Sequence, residues 1–451
     1  MPKKNQILEG LIEDAVFPNK GIMLINNEPI YVTGTFKGQV VKARIIKKKN
    51  QKWEARLLEV LEHPDYLTDP CCSYFGACGG CSTQHLPYTM QLDLKHQQVT
   101  RLLKDAGITE YEDLGILASP EVTEYRNKME FSFGDAVKDG PMTLGMHKKS
   151  STYDIITVGG CKLVDPDFTT ILEYTLDYCV KHHLDYYKKL IHTGFMRYLV
   201  IRKSKTFGKI LINIVTSSQK DFSFTELAKE LSALKLQGTV TGVLHTITDT
   251  LSDAVKPDST SLVYGTDTIT EKILGLEFKI SPFSFFQTNT QGAEVLYKNA
   301  LNLIQNMDNK VVFDLYCGTG TITQIMATRA KKVYGIEIVE EAVEKARENA
   351  AFNQLTNCEF IAGDVLTEVD KLNAAPDIIV LDPPRDGIHP KAIQKIINFN
   401  AKELLYISCK PTSLARDLPI LKAAGYTIDK LMCVDMFPQT PHVETVVKLS
   451  R

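Results

Sequence analysis

From about residue 281 to residue 451, short apolar runs alternate with amphipathic helical stretches. KVVFDLYCGTG precedes a helical stretch, KKVYGIEIV follows it, and the helical EEAVEKARENAAF comes next. CEFIAGDV, DIIVLDPPR, ELLYISCK and the final pair TIDKLMCVDMF and HVETVVKLS complete the series. No other feature narrows the fold so far. Apolar strands separated by helices of ten or more residues need cover on both faces, and the helices supply it. The expected result is an α/β, doubly wound, mostly parallel sheet, a Rossmann-like domain over residues 281–451. Ligands in such sheets bind at the carboxyl ends of the strands, so functional side chains are sought just past each apolar run.

The first strand end reads VVFDLYCGTGTIT, a strand running through a glycine turn into a helix. Gly318 and Gly320 let the backbone pass close to a ligand without a Cβ in the way. A dinucleotide fingerprint needs a third glycine at position 323, where Thr323 stands, so a nicotinamide dinucleotide is disfavoured. The spacing D-x-x-x-G-x-G, with Glu337 ending the next strand, suits S-adenosylmethionine. The acid can accept both ribose hydroxyls while the turn lies against the amino-acid part. Asp364 and Asp382, the latter in LDPPR, stand in register at further strand ends. ISCK then puts Cys409 at a strand end beside Lys410, with Pro411 opening a helix. A thiol at a helix N-terminus is expected to ionise more readily than usual. Cys179, Cys317, Cys358 and Cys433 read as structural. Glu444, in FPQTPHVETVV, begins the last strand after a loop able to reach the same rim; taken alone it reads as a solvent-facing acid.

Upstream, LEGLIEDAV, GIMLINN, EPIYVTG, QVVKARIIKKK and KWEARLLEVLE are short alternating strands within residues 1–62, which suits a small oligonucleotide-binding type of barrel. Residues 63–280 mix strands and helices, an α+β middle domain in which RYLVIRK and KILINIVT form a hairpin. The net charge of −2 hides a segregation. Lys37 to Arg56 holds eight Lys/Arg against Glu54 alone, and Lys181 to Lys209 holds eight against Asp185 alone. Stripes of that kind suit a polyanion such as RNA, or are merely solvated faces. The start MPKKNQILEG has no signal-peptide core, no apolar run reaches membrane length, and ten cysteines without a secretory signal point to a reducing cytoplasm. A monomer is expected.

CGTGTI, LDPPR, SCKPTSLARD and FPQTPHVE, together with the barrel and the cysteine set, closely resemble the RNA uracil-5-methyltransferase family, which includes 23S ribosomal RNA enzymes and a transfer-RNA enzyme. The resemblance implies that Cys409 is the nucleophile and Glu444 the general base. It implies that Gln287 (in FSFFQTN), Tyr316, Glu337 and Asp382 contact S-adenosylmethionine beside the Gly318 turn, with Asp364 a weaker carry-over. It also implies that the barrel is an RNA-binding TRAM module absent from the transfer-RNA enzyme, which favours ribosomal RNA. The chemistry asks for the same parts. Carbon 5 of uracil is too poor a nucleophile to attack a methyl sulfonium. Thiolate addition at carbon 6 makes an enolate that can, and a base must then remove the carbon 5 proton. The target base has to leave its stack, which a loop or single-stranded uridine does at low cost.

CCSYFGACGGC places Cys72, Cys78 and Cys81 at C-x5-C-x2-C spacing, with Cys161 far along as a fourth thiol. Three clustered cysteines and a distant one look more like a 4Fe–4S site than paired zinc ligands, and the resemblance implies the same four. Zinc and free thiols are the alternatives, and Cys71 is extra. Such a cluster would be structural, since methyl transfer needs no electron. Two other readings compete. A base-nitrogen methyltransferase would carry an aromatic residue where Arg385 follows DPP, and would leave Cys409 idle. A non-catalytic RNA-binding assembly factor would not need an intact cofactor rim.

Overall fold

The computed structural model describes residues 2–252, 256–368, 371–372 and 374–451. Strands β1 (Ile7–Val16), β2 (Lys20–Ile25), β3 (Glu28–Thr33), β4 (Val40–Lys49) and β5 (Lys52–Glu62) close into a barrel in the order β1-β2-β3-β5-β4. Two of its turns follow from local chemistry. Asn26 and Asn27 both take positive φ (51° and 62°) between paired Ile25 and Glu28, as a tight two-residue hairpin requires. Asn50 and Gln51 do the same (48° and 61°) between paired Lys49 and Lys52. Alternate side chains, among them Ile12, Met23, Ile30, Val41 and Ile45, fill the barrel. The lysine-rich hairpin points away from that core, with Lys48 lying over the Trp53 ring.

After α1 (Tyr88–Asp105) and β6 (Glu112–Leu117), the chain builds a seven-stranded sheet from β7 (Lys128–Asp135), β8 (Met142–His147), β9 (Ile155–Thr157), β10 (Met196–Lys203), β11 (Lys209–Thr216), β12 (Thr239–Ile247) and β13 (Ser259–Gly265). The order is β13-β12-β11-β10-β7-β8-β9, with helices α2 (Pro166–Lys181) and α3 (Thr225–Ser232) packed on it through Phe168, Ile171, Leu227 and Leu231. This sheet corrects the second basic stripe. Lys203 is 8% exposed and bonds Asp165 and Asp167 at 2.7 Å each. Arg197 donates to the carbonyls of Thr248 and Thr250, Lys205 pairs with Glu121, and Lys188 pairs with Asp139. Arg197, Arg202 and Lys203 serve the fold rather than facing a polyanion, because β10, which carries them, is buried along its whole length.

A hairpin of β14 (Ile269–Ile273) and β15 (Leu276–Ile280) leads into the last layer. There α4 (Thr290–Asn302), β16 (Val311–Leu315), α5 (Thr321–Ala327), β17 (Lys332–Glu337), α6 (Glu340–Phe352), β18 (Cys358–Ala362), α7 (Val365–Glu368), β19 (Ile378–Leu381), α8 (Pro390–Asn398), β20 (Glu403–Ser408), α9 (Pro411–Ala423), β21 (Thr427–Val434) and β22 (Glu444–Ser450) follow in sequence. The eight-stranded order is β18-β17-β16-β19-β20-β22-β21-β6. β22 runs antiparallel to β20 and β21. The order reverses between β16 and β19, the switch point where an open α/β sheet leaves a crevice. Separate apolar cores on the two faces explain why its strands read as unbroken apolar runs.

Residues 88–117 depart from the expected domain boundary. β6 pairs in parallel with β21, and Val99, Leu103 and Ile108 join the core beneath α8 and α9. The sequence signal missed this because α1 and β6 are separated from their partners by the whole middle sheet. Among the described residues no helix is long and apolar enough to cross a membrane.

Candidate active site

At the carboxyl ends of β16, β17, β19 and β20 lies a cleft of about 1080 Å³. It is lined by all eight residues singled out for the catalytic and cofactor site: Gln287, Tyr316, Gly318, Glu337, Asp364, Asp382, Cys409 and Glu444. They come from seven different stretches, and only the winding of the sheet brings them to one rim.

The glycine turn is held from beneath. Tyr316, at φ 73°, and Cys317 both donate their backbone N–H to the carbonyl of Ile336. Glu337 Oε2 accepts from Gly318 N and Oε1 from Val339 N, both at 3.0 Å. Its carboxylate therefore ties the turn to the next loop. Gly318, at φ 54°, has open space where a Cβ would stand, so conformation is what demands glycine there. Gly320 differs from expectation. A Cβ on it would come within 2.6 Å of the Phe360 ring, so packing against β18 requires that glycine rather than approach of a ligand. Thr323, at the position of the absent third glycine, donates to Asp314 Oδ2 at 2.5 Å. Asp364 Oδ1 caps α7 through Leu366 N. Gln287 lines the cleft, its carbonyl accepting from Asn127 Nδ2.

Three acidic or nucleophilic groups converge deeper in. Asp382, past β19, is pushed up to about 7 by burial and then by Asp314. Glu444, at the head of β22 and 3% exposed, is pushed up to about 8 by burial and then by Asp382, against the pull of Arg385. The Cys409 thiol is pushed up to about 11, by burial first and then by Glu444 and Asp382, with Arg385 pulling it down. That overturns the expectation of a readily ionised thiol. The N-terminus of α9 does not outweigh a half-buried sulfur facing two carboxylates.

Two cleft residues were not singled out from the sequence. Arg385 was noted only for not being aromatic, yet it is the cation that faces Cys409 and Glu444. His442 is pushed down to about 4 by burial and by Arg385, Lys95 and Arg126, so it is neutral at pH 7. Its signal lies within F-P-x-T-x-H-x-E, two residues before Glu444.

Cys72, Cys78, Cys81 and Cys161 line one small cavity of about 30 Å³ beside the cleft, walled by Met129, Met146 and Val158. Gly80, Met129, Met146 and Leu163 line both spaces. Burial and mutual repulsion push the Cys81 thiol up to about 12 and raise Cys78 and Cys161. Cys71 is exposed, lies off this cavity, and contacts Gln84 Oε1 instead. Four unpaired thiols in an apolar pocket fit a thiolate-bound group in kind. Among the described residues, however, no three such side chains stand at metal-holding distances.

The model of the tRNA (uracil-5-)-methyltransferase family matches residues 87–451. An uncharacterized RNA methyltransferase of Clostridium acetobutylicum is 49% identical over 449 residues, covering 100% of this chain and 98% of its own. One from Caldanaerobacter subterraneus subsp. tengcongensis is 44% identical over 448 residues, covering 99% of each. In fold, the chain is similar to Pyrococcus abyssi tRNA (uracil-54, C5)-methyltransferase, solved in complex with S-adenosyl-L-homocysteine. The TM-score is 0.77 and the identity 24%, over 98% of this chain and 100% of that one. That enzyme and this chain therefore share one architecture along nearly their whole length. On the family match and these full-length relatives, the chain belongs to the tRNA (uracil-5-)-methyltransferase family of RNA methyltransferases.

Proposed function

We propose that this protein methylates carbon 5 of uridine in RNA, with Cys409 as nucleophile and Glu444 as general base. The observation that carries the reading is their meeting in one cleft, from β20 and β22, beside the Gly318 turn and Glu337. S-adenosylmethionine, when bound along that turn, supplies the electrophilic methyl group. Gly318, Glu337 and Asp382 would hold it, with Tyr316, Gln287 and Asp364 around it. Cys409, once its thiol has given up its proton to solvent, adds as the thiolate to carbon 6 of an extruded uracil, and the ring electrons move to make carbon 5 nucleophilic. Arg385 stabilises the thiolate and the enolate that follows. Once carbon 5 carries the methyl group, Glu444 takes its proton, the pair restores the C5–C6 double bond, and the C6–S bond breaks. Neutral His442 offers a hydrogen bond to the base without adding charge.

Cys72, Cys78, Cys81 and Cys161 would hold a 4Fe–4S cluster with a structural part, tying the segment after the barrel to the middle sheet. The barrel over residues 1–62, with its lysine hairpin, would grip the RNA backbone. The test is to map 5-methyluridine in 23S ribosomal and transfer RNA from a strain lacking the gene, complemented by wild type or by Cys409→Ala. Restoration by wild type alone supports the reading and names the RNA. Restoration by Cys409→Ala refutes it.

A further inference from the structure

The loop between Asp435 and Val443 delivers Glu444 into the cleft, and its backbone is gripped from outside the sheet. At its centre Gln439 is 6% exposed and sits at φ 69°, a conformation that a non-glycine residue keeps only when its surroundings hold it. The holder is Gln91 of α1, 348 residues away along the chain. Gln91 Oε1 accepts from Gln439 N at 3.0 Å and from the Thr83 hydroxyl at 3.0 Å. Its Nε2 donates to Gln439 Oε1 at 3.0 Å and to the Leu86 carbonyl at 2.9 Å. All four hydrogen-bonding positions of one buried amide are thus used. The Gln439 carbonyl accepts from the N–H groups of Ser82 and Thr83, at 2.9 and 3.3 Å, the two residues that follow Cys81.

We propose that Gln91 and Gln439 are a positioning pair for Glu444, and that through Ser82 and Thr83 the pair couples the base to the four-cysteine segment. The proposal rests on the reading of Glu444 as the base. Two further observations point the same way. Lys95, one turn along α1 from Gln91, bonds Asp435 at 2.6 Å and the Phe437 carbonyl at 3.1 Å, fixing the other end of the loop. The cysteine cavity shares a wall with the cleft, so a shift of the segment between them is felt at both. A pair that merely glued the fold together would lower stability and slow every step alike. A pair that aims the base should slow only the step that needs the base.

The full-length protein is tested in single turnovers with S-adenosylmethionine and total RNA from the deletion strain, its uridines tritiated at carbon 5. Methyl transfer, covalent complex and tritium release are followed separately. Gln91→Met keeps length and volume but removes all four hydrogen bonds. Gln439→Gly removes one side chain, suits the positive φ, and keeps the backbone bonds. Gln91→Met should form the covalent complex and transfer methyl within about threefold of wild type. It should release tritium about ten- to a hundredfold more slowly, so that denaturing gels show a methylated adduct. Gln439→Gly should fall between. Wild-type tritium release in both variants overturns the proposal, as does an equal drop in all three steps. If Gln91→Met does not fold, Gln439→Gly decides alone, and wild-type release there overturns the pair. Glu444→Gln is run beside them. An adduct in Glu444→Gln but not in the glutamine variants refutes the pair and leaves the base standing. A Glu444→Gln enzyme that turns over normally refutes the base, and the pair falls with it.

Discussion

Removal of the carbon 5 proton should be governed by the ionisation of Glu444, and the structure says where. Glu444 is 3% exposed, and burial, then Asp382, push its carboxyl up to about 8 while Arg385 pulls it down. Asp382 is itself pushed up only to about 7, so it ionises first and its charge then opposes ionisation of Glu444. A base works only when ionised, and a raised pKa means that this form is lost as the pH falls below about 8. From that value about 1% of Glu444 is ionised at pH 6 and about half at pH 8, so elimination should speed up about fiftyfold between them and level off above about pH 9. The thiol of Cys409 titrates in an earlier step, which must be separated. The covalent adduct is therefore formed at pH 6, jumped to pH 5.5–9.5, and quenched rapidly while tritium release from carbon 5 is counted. Asp382→Asn should move the rise to lower pH, and Arg385→Gln should move it higher. A rate that is flat from pH 6 to 8, or an Asp382→Asn profile displaced upward, refutes the electrostatic argument.

Glu337→Ala should weaken S-adenosylmethionine binding by about 1.5–3 kcal/mol in calorimetry, since it removes the proposed ribose acceptor and the two backbone bonds that brace the turn; unchanged affinity removes Glu337 from the site. Anaerobically purified protein should be brown with about four irons and labile sulfide per chain, and Cys78→Ala should lose colour and solubility together. Colourless protein holding one zinc ion refutes the cluster. Charge reversal of Lys47, Lys48 and Lys49 should weaken RNA binding and flatten its salt dependence without touching cofactor affinity. Lys95→Met should cost about 3–5 kcal/mol in denaturant unfolding because Asp435, 0% exposed, is left charged and unpaired, and Lys95→Met with Asp435→Leu should recover much of it. A single-variant cost below about 1 kcal/mol contradicts that account.

Much of the catalytic sheet is legible in the chain because its information is local. The apolar runs that became β16 to β20 announce burial on both faces, and the D-x-x-x-G-x-G turn, Glu337, Asp382 and Cys409 stand just past strand ends, where chain direction alone puts them on one rim. Glu444 was legible through its motif, not through its periodicity. Where local spacing could not say what lay opposite, only the tertiary structure decided. Lys181–Lys209 looked like an RNA stripe until Asp165, Asp167, Glu121 and Asp139 came to meet its cations. Gly320 looked like a ligand contact until Phe360 arrived against it from β18. Cys409 looked like an activated thiol because Lys410 and a helix start are its neighbours in sequence, whereas its neighbours in space are Glu444 and Asp382. The thiol set separated in the same way: Cys71 and Cys72 are adjacent in the chain, but only Cys72 shares a cavity with Cys161, 89 positions on. Helix periods and turn residues are written over a few consecutive positions. Burial, charge and hydrogen bonding at a site depend on groups such as Gln91 and Gln439, which no local pattern connects and which only the closed fold brings within 3.0 Å.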